Sequence, residues 1–361
     1  MLTRLLSKRS EDDLLVGYPD HKALHTDAAN VVRLLYQHER HKDTAGGESM
    51  WDNAETFLDY LDTAAEVPPN NEPNPHADRI TLILKRNNWS RISPQDLRHA
   101  ARRLIAAECC AFLEGADTRR EQWQPYRTWA RFLTGSDTII SFNYDRVVEM
   151  LCDAQDRDAS RGVGTPSPVM TLTPGRMDDP GVWRGCCPLL KLHGSVDWRR
   201  QAPVNGKIGF EVTQDPTFAL LCNDEELAIA SPGPSKKRAA TEFKELWKLA
   251  EKALANADSI IFVGYRFPET DADARERLLG AIRENNGDQA RPRVAPQHHL
   301  PIHVVVGGRP DHTKRLEALL RHVCRTNRVE GGPGNNLRTF QVHSHPLFAQ
   351  DFFTVVNRDE L

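Results

Sequence analysis

Residues 139–145 read Ile-Ile-Ser-Phe-Asn-Tyr-Asp, so an apolar run ends on an amide, a phenol and a carboxylate. Two readings fit those three residues. Asn143 can cap a helix that starts near Tyr144, with Asp145 as a favourable first-turn acid. Alternatively, Asn143, Tyr144 and Asp145 form a site at the end of a strand. Three other apolar runs end in the same way, at His193-Gly194-Ser195, Gly264-Tyr265-Arg266 and Gly307-Gly308-Arg309. Ligands in open α/β sheets bind beyond the carboxyl ends of the strands, where glycines let backbone approach closely and helix N-termini offer N–H groups to phosphate. Each residue also has a plainer role. His193 can be a buried histidine bonded to backbone, and Gly264-Tyr265 an ordinary strand exit. His343-x-His345 has metal-like spacing but no acidic or cysteine neighbour in sequence, and reads as surface. The Lys236-Lys237-Arg238 run reads as a solvated patch, and Trp183, Trp198 and Trp247 as packing residues.

The elements that carry these ends follow from periodicity. Residues 20–37, 52–65 and 94–114 have helical spacing of apolar side chains, and Trp123, Trp129, Phe132 and Leu133 indicate a further buried helix. Residues 67–76, rich in proline and asparagine, read as a loop. From residue 137 short apolar runs at 138–142, 188–193, 259–265 and 302–308 alternate with helical segments at 144–154, 244–257, 270–285 and around Leu316–Val323. Thr270 and Asp273 have capping-box spacing. Apolar runs alternating with helices predict an α/β fold, with a mostly parallel sheet covered on both faces. Residues 199–240, mixing glycine, proline and charge, read as an irregular excursion.

Composition excludes several classes. With 361 residues, 39% hydrophobic and 27% charged, the chain is globular rather than disordered. A net charge of −3 gives no basic field to recruit nucleic acid or acidic lipid. No apolar stretch reaches the roughly 18 residues of a membrane span, and the start has no signal-peptide core. Seven cysteines without a C-x-x-C pair point to reduced thiols in a cytoplasmic protein and to no zinc module. Neither a G-x-x-x-x-G-K-[ST] phosphate loop nor a G-x-S-x-G elbow is present.

Taken jointly, "TIISFNYDRVVE", "LLKLHGSVDW" and the stretch from Ser231 to Arg275 containing "SIIFVGYRFPETDADAR" resemble the bacterial sirtuin-like (SIR2-like) domains known as NAD-consuming effectors of anti-phage defence. The resemblance spans about residues 17–330, and "NAETFLDYL" at 53–61 resembles the family's helical insertion. It implies one Rossmann-like α/β domain over 1–361 with a helical module inserted at 45–135. It also implies Asn143 and His193 as the central catalytic pair, with Asp145 steadying the sugar charge or the loop. Phe142, Tyr144, Gly194, Ser195, Gly264, Tyr265, Asp271 and Gly307 would line the nucleotide. The implied substrate is NAD, with ADP-ribose as a product or ligand, no metal, and a homo-oligomer as the assembly. The chain departs from the family pattern in two respects. It lacks the four-cysteine zinc module of the deacylases, which disfavours that activity. Residues 1–16 also contain no glycine where the family's Gly-rich pyrophosphate loop is expected. That loop is either encoded upstream of Met1 or lost. The expectation is therefore an NAD glycohydrolase, with a catalytically degenerate NAD- or ADP-ribose-binding module as the alternative.

Overall fold

The structure, a computed structural model, describes residues 28–36, 54–68, 72–113, 121–156, 169–175, 185–203, 208–213, 218–223, 225–230, 240–268, 271–287, 300–323 and 341–356. Residues 1–16, Thr270, Trp183 and the Lys236-Lys237-Arg238 run lie outside these.

The first half is helical: α1 (28–36), α2 (Ala54–Ala65), α3 (Pro75–Arg86), α4 (Pro94–Leu113) and α5 (Gln124–Ala130). Local signals set their ends. Asn74 caps α3 by accepting from the backbone N–H groups of His76 and Ala77, and its amide donates back to the Thr63 carbonyl at 2.9 Å. One side chain thus fixes the angle between α2 and α3. Ser93 and Asp96 form a reciprocal box at the start of α4, with Ser93 N to Asp96 Oδ2 at 2.8 Å and Asp96 N to Ser93 Oγ at 3.2 Å. Apolar faces of these helices close one core around Phe57, Leu61, Ile80, Leu97 and Ile105. Phe132, expected on a buried helix, is 42% exposed because α5 ends at Ala130.

Then come two parallel three-stranded sheets. Strands β1 (Ile139–Ser141), β2 (Val169–Leu172) and β3 (Cys187–Lys191) pair in the order β1-β3-β2, with α6 (Val147–Asp156) between β1 and β2. Strands β7 (Ile260–Val263), β8 (Pro301–Val305) and β9 (Gln341–His345) pair in sequence order. Helices α8 (Lys244–Asn256), α9 (Ala272–Gly287) and α10 (Pro310–Val323) accompany them, and α11 (Ala349–Val355) follows β9. The mixed α/β class and parallel pairing agree with the alternation in the sequence. A single core joins both sheets, from Leu190 and Leu192 through Trp247 and Leu278 to Ile302 and Val304. Asn285, fully buried, donates its amide to the carbonyls of Leu254 and Ala257 at 2.6 and 2.9 Å, satisfying the end of α8 from α9.

Between the parallel sheets in sequence lies an antiparallel sheet, ordered β5-β4-β6: β4 (Gly194–Arg200), β5 (Phe210–Val212) and β6 (Leu227–Ile229). A short helix, α7 (Phe218–Leu221), connects β5 and β6. The described part of 199–240 therefore contains two strands and a helical turn. Arg102, buried in α4, donates to the carbonyls of Leu227 and Ile229 at 2.8 and 3.1 Å. That pair of bonds ties the helical half to the antiparallel sheet.

The pair at 343 and 345 is not simply surface. Strand pairing sets His343 directly opposite His303, and both rings stack on that of His303, at 4.9 and 5.3 Å. His303 Nδ1 lies 3.1 Å from His345 Nε2. Burial first, then the rings of His343 and His345, pull the His303 imidazole down to about 4 from 6.5. The native chain holds His303 neutral, whereas the unfolded chain protonates it near 6.5. The stability this contributes is present above that value and drains away as pH falls toward about 4. Unfolding free energy should drop by about 3 kcal/mol across that window. His303→Leu should flatten the slope, as measured by urea denaturation at a series of pH values.

Candidate active site

The carboxyl ends of β1, β3 and β7 meet side by side. Phe142, just past β1, stacks flat on Tyr265, just past β7, with centroids 3.9 Å apart and planes 4° from parallel. His193, two residues past β3, packs edge-on against Phe142 at 4.9 Å. Asp271, immediately before α9, places Oδ1 3.8 Å from His193 Nε2 and accepts from Tyr265 Oη at 3.1 Å through Oδ2. His193 and Asp271 are both buried. Residues expected at the site from four separate stretches of chain thus form one cluster. Gly264 exits β7 with φ +71, and a Cβ built there would meet nothing within 4 Å among the described residues, so the backbone faces open space.

The loop after β1 is held from behind. Lys191, at the end of β3, is 1% exposed. Its ammonium donates to the Asp145 carbonyl, to the Tyr144 carbonyl at 3.4 Å and to Glu149 Oε1 at 3.1 Å. Burial pushes the Glu149 carboxyl up, and the Lys191 charge pulls it back. Arg146 adds an ion pair to the buried Asp197 of β4 at 2.9 Å. Tyr144 is itself buried, and its hydroxyl donates to the Ala230 carbonyl, while Ser195 Oγ donates to the Tyr144 carbonyl at 3.3 Å. Tyr144 and Ser195 therefore brace the loop from inside.

The question of the helix cap is settled by geometry. Helix α6 begins at Val147, three residues beyond Tyr144, and Asp145 Oδ1 accepts from Val147 N at 3.0 Å. Asp145 is the capping side chain, not Asn143. Asn143 is exposed, and its backbone N–H donates to Ser141 Oγ at 3.2 Å. Gly194 needs its lack of a side chain: at φ +78, a Cβ would stand 1.9 Å from the Ala228 carbonyl oxygen of β6. This close approach lets the His193 carbonyl accept from Ala230 N at 2.9 Å. Gly307 lies apart, with φ +85 and the ring of Phe348 3.1 Å from a built Cβ. Phe348 is 65% exposed and had no signal in the periodicity.

Cysteine chemistry is disfavoured here. The buried Cys109 thiol is raised well above its usual range, by burial first and then by the Asp145 charge, and burial pushes Cys187 up to about 12. Among the described residues no group of three histidine, cysteine or acidic side chains is arranged to hold a metal ion. Also among them, no helix is long and apolar enough to cross a membrane.

Parallel strands with connecting helices, and a site at their carboxyl ends, define a Rossmann-like domain. A model of the SIR2-like domain family matches residues 137–322, more than half of the chain, and the chain belongs to that family. SIR2-like domains use NAD as a substrate. No match is found among curated proteins.

Lys191 was legible only as one charge inside the apolar run Pro188–Leu192, a position that calls for a buried partner. Removing it leaves Glu149 and two carbonyls without their cation. Lys191→Met should lower unfolding free energy by about 3–5 kcal/mol. Lys191→Met combined with Glu149→Met should recover most of that loss. Chemical denaturation of the three proteins measures both effects.

Proposed function

We propose that this chain is an NAD glycohydrolase, releasing nicotinamide and ADP-ribose from NAD, and that it serves as an effector of anti-phage defence. The observation that carries this reading is the meeting of Phe142, His193 and Tyr265 at three strand ends, with the exposed residue Asn143 next to Phe142 in the chain.

The chemistry suits the residues. Breaking the bond from nicotinamide to the ribose builds positive character on the sugar, as in glycoside hydrolysis. Nicotinamide departs neutral with the bonding electron pair, so no strong acid is required. Asn143 orients the incoming water or the ribose through its amide, from a loop that Lys191 and Tyr144 hold in place. His193 takes the proton from the water as its oxygen bonds to the sugar carbon, and passes it to solvent. Gly264 and Tyr265 border the ribose or the phosphates, while Gly307 and its neighbours lie toward the adenosine. Asp145, engaged in capping α6, supports the loop rather than the sugar. The assembly proposed with this function is a homo-oligomer.

Purified full-length protein should release nicotinamide from NAD. His193→Ala and Asn143→Ala should each reduce the rate on the order of 100-fold or more, with thermal unfolding unchanged for the exposed Asn143. Equal rates in all three proteins would remove the proposal. Tight ADP-ribose binding by calorimetry without turnover would favour a binding module instead.

A further inference from the structure

We infer that Asp271, held by Tyr265, is the positioning residue that fixes the His193 imidazole in the tautomer able to act as base. The inference rests on the glycohydrolase reading for its kinetic consequence, and on the contacts among His193, Asp271 and Tyr265 for the pairing itself.

Asp271 is a buried carboxylate, 6% exposed, and burying a carboxylate is costly unless its charge is compensated. Among the described residues, three features compensate it. Tyr265 Oη donates to Oδ2 at 3.1 Å. The first turn of α9 begins at the next residue and presents its positive end. His193 Nε2 faces Oδ1 at 3.8 Å. That separation is longer than a hydrogen bond, and catalytic contacts of this kind commonly tighten only when substrate is bound. The chain just after Tyr265 has an unusual backbone. Phe267, a non-glycine residue, lies at φ +51 with its ring buried against Tyr265 at 4.9 Å. A left-handed phenylalanine is unfavourable, and such conformations persist where surrounding packing enforces them, often at functional sites.

The consequence for His193 follows from imidazole chemistry. The carboxylate favours a proton on the nitrogen that faces it, Nε2, which leaves the lone pair on Nδ1. Nδ1 is then the atom that accepts the proton from water as water oxygen bonds to the ribose carbon and the nicotinamide bond breaks. The charge of the resulting imidazolium is met by Asp271 across the ring. Phe142, stacked on Tyr265 and packed against His193, keeps the ring from turning. Asp271 acts through His193 and need not touch substrate.

Two readouts test this on the full chain. Ring nitrogen-15 shifts of His193 should report the Nε2–H tautomer in the wild type and a mixture in Asp271→Ala. In nicotinamide release, Asp271→Asn should lower kcat on the order of 100-fold with KM changed less than about twofold. Tyr265→Phe, which keeps the stacked ring, should lower kcat by a smaller factor. An unchanged His193 spectrum in Asp271→Ala overturns the pairing, whatever the activity. A rise in KM at constant kcat overturns it as well, making Asp271 a substrate-binding residue. A wild type that shows the Nε2–H tautomer but releases no nicotinamide refutes the glycohydrolase reading and leaves the pairing standing.

Discussion

A single buried ammonium organises the candidate site. Lys191 is nearly inaccessible to water, and an unpaired charge in that position would be strongly unfavourable. The fold supplies Glu149 from α6 and the carbonyls of Tyr144 and Asp145 from the loop after β1. The compensation works in both directions. The cation needs those oxygens, and the loop needs the cation, because its carbonyls point inward away from water. Position of the loop is therefore bound to the end of β3, the strand that delivers His193.

Other contacts extend that constraint outward. Tyr144 and Ser195 lock the loop to β4 and to the chain after β6, and Gly194 allows the two backbones to approach. Arg146 and Asp197 add a second ion pair on the same side. Arg102 carries the linkage on to the helical half. The face of the loop turned away from this scaffold holds Phe142 and Asn143. Polar atoms needed for rigidity thus lie behind the loop, and those suited to a ligand lie in front. That division explains how Asp145 and Tyr144, adjacent to Asn143, come to serve support instead.

Much of the fold was legible because its signals are local. Helix periodicity placed α2, α4, α8 and α9 close to their observed limits and marked the second half of α10, and the apolar runs located β1, β3, β7 and β8. Strands β2, β4, β5, β6 and β9 were not foreseen. Strand β4 carries Asp197, Arg199 and Arg200 within its seven residues, and β9 is a polar strand bearing two histidines and a serine. Such strands lack the continuous apolar signature, because their place comes from strand pairing, from ion pairs in β4 and from ring stacking in β9. The helix start after Asn143 was placed three residues early for a related reason. Tyr144 has the right spacing for the apolar face of α6, but its ring packs into the helical core and its hydroxyl reaches Ala230 instead.

The sequence by itself determined the class of fold, the alternation of β1, β3, β7 and β8 with helices, and the polar ends at which Asn143, His193 and Gly264 stand. Those depend on which side chains are neighbours along the chain. Only the tertiary structure decided that Asp145 caps α6 while Asn143 faces outward, that His303 completes a stack with His343 and His345, and that Asp271 faces His193. The last two depend on burying a polar group against a partner from another element, and the first on where Tyr144 is drawn into the helical core. Burial sets its cost, and no periodicity in the sequence records where the partner will be.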